Sequence, residues 1–185
     1  MRSFKVEGII IKRKNYGEAD RLLTVLTKNN GKIQVKATGI RRIPSRRSAH
    51  VELLNYSILG LYRGKTYAIL TEAQAIDNFS PIKDSLEKMG LSYHFCELID
   101  GLCAENQENT KVFYLLKNVL STLAMSDSLV ASVREFEIEL LTILGYLPNR
   151  LVDRLDTRDF IENILERKLK SYPIFARLSL LTNLE

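Results

Sequence analysis

Cysteine and histidine are scarce in this chain, and neither residue type forms a cluster. Two cysteines among 185 residues are too few for a disulfide framework. Cys96 and Cys103 lie on one predicted helix, about 10 Å apart along its axis, which is too far for one zinc ion with Zn–S bonds of about 2.3 Å. His94 is expected to be partly exposed on the same helix, and His50 lies in the other half of the chain. The sequence therefore predicts free thiols, no metal site and no cofactor.

Long apolar runs are also missing. No run approaches the roughly 20 residues that a membrane-spanning helix requires. The N-terminal sequence MRSFKVEGII alternates apolar and polar residues, unlike the unbroken apolar stretch of a signal peptide. We therefore expect a cytoplasmic protein with no membrane partner. Its 45% apolar and 26% charged residues are typical of an ordinary soluble protein with a packed core.

The motifs of common enzymes are missing as well. The segment GLYRGKT ends like a phosphate-binding P-loop, but only three residues separate Gly60 from Gly64 where a P-loop has four. It also joins two predicted strands instead of a strand and a helix, so we interpret it as a hairpin turn. Glu18 and Asp20 form a carboxylate pair without a nearby histidine or metal site. We expect Asp20 to tighten a turn or to pair with Arg21, and the protein not to be an enzyme.

Positive charge is concentrated in residues 1–79. This segment carries 15 Lys and Arg against six Asp and Glu, a net charge of +9, whereas residues 80–185 carry 12 against 16, a net charge of −4. Such asymmetry favours an anionic partner such as a nucleic acid, because a basic footprint is the electrostatic mark of phosphate binding. The most basic stretch is TGIRRIPSRRSAH, residues 38–50, which has four arginines within seven positions.

Five short β-strands are predicted within residues 1–79, separated by turn signals such as Asn30-Gly31. This number and spacing suit the OB-fold, a five-stranded barrel whose strand face and loops bind oligonucleotides. In the third predicted strand, KIQVKA, the apolar residues face inward. Lys32, Gln34 and Lys36 face outward.

Helical periodicity begins at Ser80-Pro81 and continues through the rest of the sequence. The predicted helices cover residues 82–104, 110–124, 127–144, 156–170 and 172–184. The fold class is therefore a two-domain α+β protein. An OB-fold β-barrel at residues 1–79 is followed by an all-α helical domain at residues 80–185.

One set of side chains points to a function, namely basic residues in the predicted strands and loops of the first domain with tyrosines between them. Cations follow a phosphate backbone, and aromatic faces accept unstacked bases at about 1–3 kcal/mol each. Tyr16 and Tyr62 are the candidate base-stacking residues. The candidate DNA-binding residues are Lys12, Arg13, Lys14, Arg21, Lys32, Lys36, Arg41, Arg42, Arg46, Arg47, Arg63 and Lys65.

Three segments occur in an order typical of one family. The first is GIIIKRKNYGEADRLLTVLTKNNGKIQVKATGIRRIPSR, which contains Tyr-Gly-Glu-x-Asp-Arg, a Gly-Lys hairpin, a Gly-x-Arg-Arg loop and a final Ser-Arg. The second is REFEIELLTILGYLPN, and the third is LERKLKSYPIF. Together they resemble the RecO family of bacterial recombination mediators along nearly the whole chain. The resemblance implies an OB-fold followed by a helical domain, and a non-enzymatic protein.

The resemblance also implies partners. A RecO protein binds single- and double-stranded DNA and anneals complementary strands, in the bacterial cytoplasm at the nucleoid. It works with RecR and with the C-terminal tail of the single-stranded-DNA-binding protein SSB, and it helps to load RecA onto SSB-coated DNA.

Two departures from the family pattern are visible. Many members carry a four-cysteine zinc site after the Gly-Tyr-x-Pro segment, where this chain has the cysteine-free sequence NRLVDRLDTRDF. We therefore expect no zinc and a shortened C-terminal domain. Thr38 also stands where a lysine is common, which removes one candidate phosphate contact.

Two other functions stay open on the sequence alone. One is an RNA-binding OB-fold module, since a basic barrel face does not distinguish RNA from DNA. The other is a non-catalytic protein-interaction adaptor, whose helical domain would bind a peptide and whose basic loop would bind an acidic tail. The adaptor would have negligible affinity for oligonucleotides at moderate salt.

Overall fold

The computed structural model describes residues 3–43, 45–125, 131–147 and 155–172. Its strands are β1 (Ser3–Tyr16), β2 (Asp20–Thr27), β3 (Gly31–Ala37), β4 (Tyr56–Arg63) and β5 (Ala68–Asp77), with a short 3-10 helix at Ser48–Val51. Its α-helices are α1 (Ser80–Lys83), α2 (Leu86–Leu102), α3 (Thr110–Met125), α4 (Ala131–Ile143) and α5 (Thr157–Leu165). The chain forms two compact units. The first contains Met1–Phe79 and Ala104–Phe113, and the second contains Ser80–Cys103 and Tyr114–Glu185.

The five strands close into a barrel in the order β1-β2-β3-β5-β4. Neighbouring strands are antiparallel except β3 and β5, which run parallel and pair only at residues 35–36 and 68–69. Inside the barrel, side chains such as Leu23, Val35 and Leu59 are completely buried. The predicted fold class, a five-stranded OB-type barrel followed by helices, is confirmed.

A β-bulge at Ile11 reverses which side chains of β1 face the barrel interior. Before the bulge, Ile10 pairs with the core residue Val25; after it, Arg13 pairs with the core residue Leu23. Directly paired residues share one face of a sheet, and the extra residue of a bulge shifts the alternation by one. Arg13 therefore faces the interior side. The basic residues of this half of β1 that face outward are Lys12 and Lys14.

Residues 104–113 return to the first unit after α2 and lie against β3. The backbone N–H of Asn106 donates to the carbonyl oxygen of Lys32 at 2.8 Å. At Gly31, which has a φ of +66°, a Cβ atom would lie 2.0 Å from the carbonyl oxygen of Gln107, so this close approach requires glycine. Nothing in the polar sequence of this segment predicted its return to the barrel.

The helices differ from their predicted bounds at two places. The predicted helix over residues 82–104 is interrupted by Ser85, which has an extended backbone and caps α2 by accepting a hydrogen bond from the Lys88 N–H. The predicted helix over residues 156–170 ends at Leu165, because Glu166 adopts a left-handed conformation with a φ of 52°. The predicted start at residue 127 and the predicted helix beyond Tyr172 lie outside the described residues. None of the described helices is long and apolar enough to cross a membrane.

His94 is completely buried in the second unit, so the prediction that it is partly exposed was wrong. Its Nδ1 lies 3.0 Å from Ser171 Oγ and its Nε2 lies 2.9 Å from Glu137 Oε1. Ser171 Oγ in turn donates to Glu97 Oε2 at 2.6 Å, and Glu97 Oε1 accepts from Arg167 at 2.6 Å. Burial of these polar groups is tolerated because each one finds a partner within the unit.

Glu97 makes the stability of the second unit depend on pH. Burial raises the pKa of this carboxyl, but hydrogen bonds from Ser171, Arg167 and the backbone N–H groups of Lys170 and Ser171 outweigh that effect and lower it from 4.5 to about 2. A lowered folded-state pKa gives stabilisation that is present above the unfolded pKa and is lost as the pH falls through the folded one. This stabilisation is therefore lost between about pH 4.5 and pH 2.

We expect Glu97→Gln to reduce the free energy of unfolding at neutral pH by about 3 kcal/mol. The difference from the wild-type protein should shrink as the pH falls toward 2, because both side chains are then neutral. Denaturant unfolding at a series of pH values measures it. Glu139→Gln, at an exposed position of α4, is the control and should change neither the free energy of unfolding nor its dependence on pH. A difference that did not depend on pH would contradict the prediction.

Candidate nucleic-acid interface

Asp20 connects the start of β2 to the start of the arginine-rich loop. Its Oδ1 accepts a hydrogen bond from the backbone N–H of Gly39 at 2.8 Å. Gly39 has a φ of +67°, which favours glycine. Next to it, the backbone N–H of Arg41 donates to the carbonyl oxygen of Ala19 at 2.9 Å. The Tyr-Gly-Glu-x-Asp segment and the Gly-x-Arg-Arg segment are therefore two halves of one local structure.

Asp20 also orients Lys36 on the outer face of β3. Asp20 Oδ2 lies 3.1 Å from Lys36 Nζ, so Asp20 pairs with Lys36 and not with Arg21 as one sequence-based alternative expected. The same Nζ lies 4.9 Å from the ring centroid of Tyr16, a cation–π distance. The Tyr16 ring is 43% exposed and meets the ring of Tyr67 edge-on at 6.4 Å.

The pKa of Asp20 is lowered. The main cause is the hydrogen bond from the Gly39 N–H, which stabilises the carboxylate, and the charges of Lys36 and Arg42 act in the same direction. Partial burial acts in the opposite direction and is outweighed. The carboxylate thus stays charged under ordinary conditions and keeps its two partners.

The arginines of the loop have different roles. Arg47 is half-buried, and it donates to the carbonyl oxygens of Leu70 at 2.7 Å and Thr38 at 3.0 Å. It therefore fastens the loop to β5. Arg41 is exposed, with one long contact of 3.4 Å to the Gly17 carbonyl oxygen. The exposed loop arginines whose side chains make no ion pair or hydrogen bond within the described residues are Arg42 and Arg46.

Arg13 and Arg21 are tied to a carboxylate of the first unit. Both guanidinium groups converge on Glu52: Arg13 bonds to Oε2, and Arg21 lies 3.4 Å from Oε1. Arg21 pairs with the core residue Ala37, so it faces the interior side of the sheet, as Arg13 does. We therefore remove both predicted contacts from the candidate interface.

Lys32 is 6% exposed, although it was predicted to stand on the open outer face of β3. The segment around Glu105 and Asn106 covers it, through a parallel bridge between Lys32 and Glu105. The alternation of side chains was predicted correctly, but the accessibility of Lys32 depends on a segment 73 positions further along the chain, which the sequence did not place there. Lys32 also leaves the candidate interface.

The remaining candidates lie on the outer face or on the hairpin between β4 and β5. The strand register aligns Lys36 with Lys14 on one side and with Tyr62, which is half-buried, on the other. Arg63 and Lys65 are exposed at the hairpin, with the Arg63 guanidinium 5.8 Å from the Phe4 ring centroid. We use the term basic surface for Lys12, Lys14, Tyr16, Lys36, Arg41, Arg42 and Arg46.

A closed five-stranded barrel in the order β1-β2-β3-β5-β4 has the architecture of an OB-fold domain. The family models described as "Recombination protein O N terminal" and "Recombination protein O C terminal" match residues 1–79 and 83–150. The chain belongs to the RecO family.

Several curated relatives are each named DNA repair protein RecO. The relative from Roseiflexus sp. (strain RS-1) is 37% identical over 147 residues, which cover 80% of this chain and 52% of the relative. The relative from Acetivibrio thermocellus is 38% identical over 149 residues, 80% of this chain and 59% of the relative. A third relative, from Dehalococcoides mccartyi, is 37% identical over 145 residues, which cover 78% of this chain and 57% of the relative. The chain spans a little more than half the length of these relatives.

No set of three or more His, Cys, Asp or Glu side chains within the described residues is placed to hold a metal ion. The cysteine-free segment at residues 149–160, where many family members carry a zinc site, is described only from residue 155. The expected absence of zinc therefore stays a prediction.

Replacing Asp20 should loosen the loop. Asp20→Asn removes the charge that holds Gly39 and Lys36, so we expect the Gly39 amide proton to exchange about tenfold faster at neutral pH, equivalent to about 1.4 kcal/mol. In the wild-type protein, the protection of the Gly39 amide relative to an unstructured amide should likewise fall when the pH drops through the lowered pKa of Asp20, because the hydrogen bond requires the carboxylate. Amide exchange measured by NMR tests both. Glu18→Gln, exposed in the same turn, should leave Gly39 unaffected; equal effects would contradict the role of Asp20.

Arg46 and Arg47 offer a matched pair of substitutions. Arg47→Ala leaves two carbonyl oxygens without their donor, and we expect a loss of about 1–2 kcal/mol in the free energy of unfolding. Arg46→Ala removes an exposed side chain and should change it by less than about 0.5 kcal/mol. Denaturant unfolding of the two variants decides. If they lost the same stability, the anchoring role of Arg47 would be wrong.

Proposed function

We propose that this chain acts in DNA repair as a DNA-binding recombination mediator, and that its basic surface contacts the phosphates of single- and double-stranded DNA. The observation that carries the proposal is the state of Arg42 and Arg46. Both side chains are exposed and make no hydrogen bond or ion pair within the described residues, on a loop that Asp20 and Arg47 hold by hydrogen bonds. Membership of the RecO family, with relatives named DNA repair proteins, supports the same function.

The mechanism would be electrostatic. Cations that neutralise phosphates release condensed counterions, which drives binding and makes it salt-dependent. A surface that neutralises two strands at once also lowers the repulsion between them, and this favours annealing of complementary strands. The hydrogen bonds of Asp20 and Arg47 restrain the two ends of the loop before DNA arrives, which would reduce the conformational entropy lost on binding.

We further propose the partners of a RecO mediator for this chain. These are RecR, the C-terminal tail of SSB, and indirectly RecA, which would be loaded onto SSB-coated DNA. The protein would work without a cofactor and without catalysis, in the bacterial cytoplasm at the nucleoid.

Charge reversal of the two exposed arginines, Arg42 and Arg46, tests the interface. We expect Arg42→Glu combined with Arg46→Glu to weaken binding of a single-stranded oligonucleotide at least tenfold at moderate salt. The slope of log affinity against log salt should fall in magnitude by about 1.4, since each lost phosphate contact removes about 0.7 for a single strand. Fluorescence anisotropy across a salt series measures both quantities.

A control with the same change in net charge separates local from global electrostatics. Lys111→Glu combined with Lys170→Glu alters exposed positions that are not part of the basic surface and should leave the salt slope unchanged. Annealing of complementary oligonucleotides, with and without SSB, should slow in the arginine variant only. Absence of annealing by the wild-type protein would overturn the mediator function. Stronger competition by RNA than by matched DNA would favour an RNA-binding module instead.

A further inference from the structure

A polar pocket of about 710 Å³ opens in the first unit, within the size range of small-molecule sites. It lies where β3 and β5 diverge. The two strands pair only at residues 35–36 and 68–69, so Ile33 and Gln34 on β3 border the opening directly. The opposite wall is the hairpin between β4 and β5, with Arg63 and Tyr67.

The pocket adjoins the basic surface through a pair of tyrosines. Tyr67 lines the pocket, and its ring meets the ring of Tyr16 edge-on at 6.4 Å with an interplanar angle of 79°. Tyr16 in turn lies beneath the ammonium group of Lys36 at 4.9 Å. A strand that follows the basic surface therefore reaches the mouth of the pocket at Tyr67.

The lining combines groups that suit a nucleobase better than a phosphate. The half-buried ring of Tyr67 offers a stacking partner, and stacking does not depend on which base is present. The carboxylate of Glu105 is held in place by Gln34, whose Nε2 donates to its Oε1 at 3.1 Å. A carboxylate accepts hydrogen bonds from exocyclic amino groups, as in recognition of cytosine N4, and it repels phosphate.

The cations of the pocket complete this arrangement. Lys5 and Arg63 also line it, and both are exposed. Charged groups at such positions can hold a phosphate oxygen outside while the acidic and amide groups accept the base. The cationic residues would thus bind the phosphate backbone, and the acidic and amide residues would bind the base.

We propose that this pocket receives one unstacked nucleobase of a single strand whose phosphates follow the basic surface. The inference rests on the proposed function, in which the basic surface binds DNA. A base within a duplex is stacked and paired, and taking it out costs a few kcal/mol. The pocket therefore gives single strands an advantage that the basic surface alone does not provide. It favours bases with an exocyclic amino group over thymine.

Three single-stranded ligands of equal length test the pocket, namely oligo(dC), oligo(dT) and a fully abasic sugar-phosphate backbone, with a duplex as a fourth. For the wild-type protein at neutral pH we expect affinity to decrease from oligo(dC) to oligo(dT) to the abasic strand. Tyr67→Ala should weaken oligo(dC) binding about tenfold, within the range of one lost stacking contact, while leaving the abasic strand and the duplex unchanged. Tyr67→Phe should retain wild-type affinity because it keeps the ring.

Two further variants sharpen the result. Glu105→Gln keeps the size of the side chain but removes its charge, and it should bring the affinities for oligo(dC) and oligo(dT) to within about twofold, because the preference for an amino group depends on that carboxylate. Tyr93→Ala removes an exposed tyrosine from α2 in the second unit and should change no affinity.

The outcomes separate this proposal from the one on which it rests. If Arg42→Glu with Arg46→Glu weakens DNA binding but Tyr67→Ala affects single strands, abasic strands and duplex equally, or affects none of them, the pocket proposal is overturned and the basic surface stands. Equal wild-type affinity for the abasic strand and oligo(dC) overturns it as well. If the wild-type protein binds none of the four ligands, both proposals fail.

Discussion

The short parallel contact between β3 and β5 is the constraint on which the geometry of the first unit depends. Two residue pairs close the barrel, whereas the rest of β5 pairs with β4 alone. The same contact aligns Lys36 with its neighbours on the outer face and brings Tyr67 to the edge of Tyr16. Because only two residue pairs join β3 and β5, the strands are not paired at Ile33 and Gln34, and the polar pocket lies in this gap.

A second constraint is that some basic side chains bind acceptors within the fold, whereas others are exposed. Glu52 engages Arg13 and Arg21, whereas backbone carbonyl oxygens engage Arg47. Ion pairs near the surface contribute little to stability in general. The main effect of these contacts is therefore to fix the positions of the guanidinium groups. The arginines that remain exposed therefore lie on a loop that is hydrogen-bonded to β2 and to β5.

Much of the fold could be predicted from local sequence patterns, because alternation and turn residues report directly on strands. The structure places the candidate interface residues differently from the sequence-based expectation at three points. The bulge at Ile11 reversed the alternation and turned Arg13 inward. The returning segment at residues 104–113 covered Lys32. Glu52, without a sequence motif of its own, proved to be the partner of two predicted DNA contacts. The last two differences involve contacts between positions far apart in the chain, and the bulge is a local irregularity in strand pairing; periodicity records neither.

By itself the sequence determined the class of fold, the concentration of basic charge in residues 1–79 and the family resemblance, since these depend on composition, periodicity and motif spacing. Only the tertiary structure decided which cations are exposed. Arg46 and Arg47 are adjacent and chemically identical, yet one is exposed while the other donates to the carbonyl oxygens of Thr38 and Leu70. The physical reason is that a guanidinium group becomes structural where folding brings unpaired acceptors within reach, and folding alone places those acceptors.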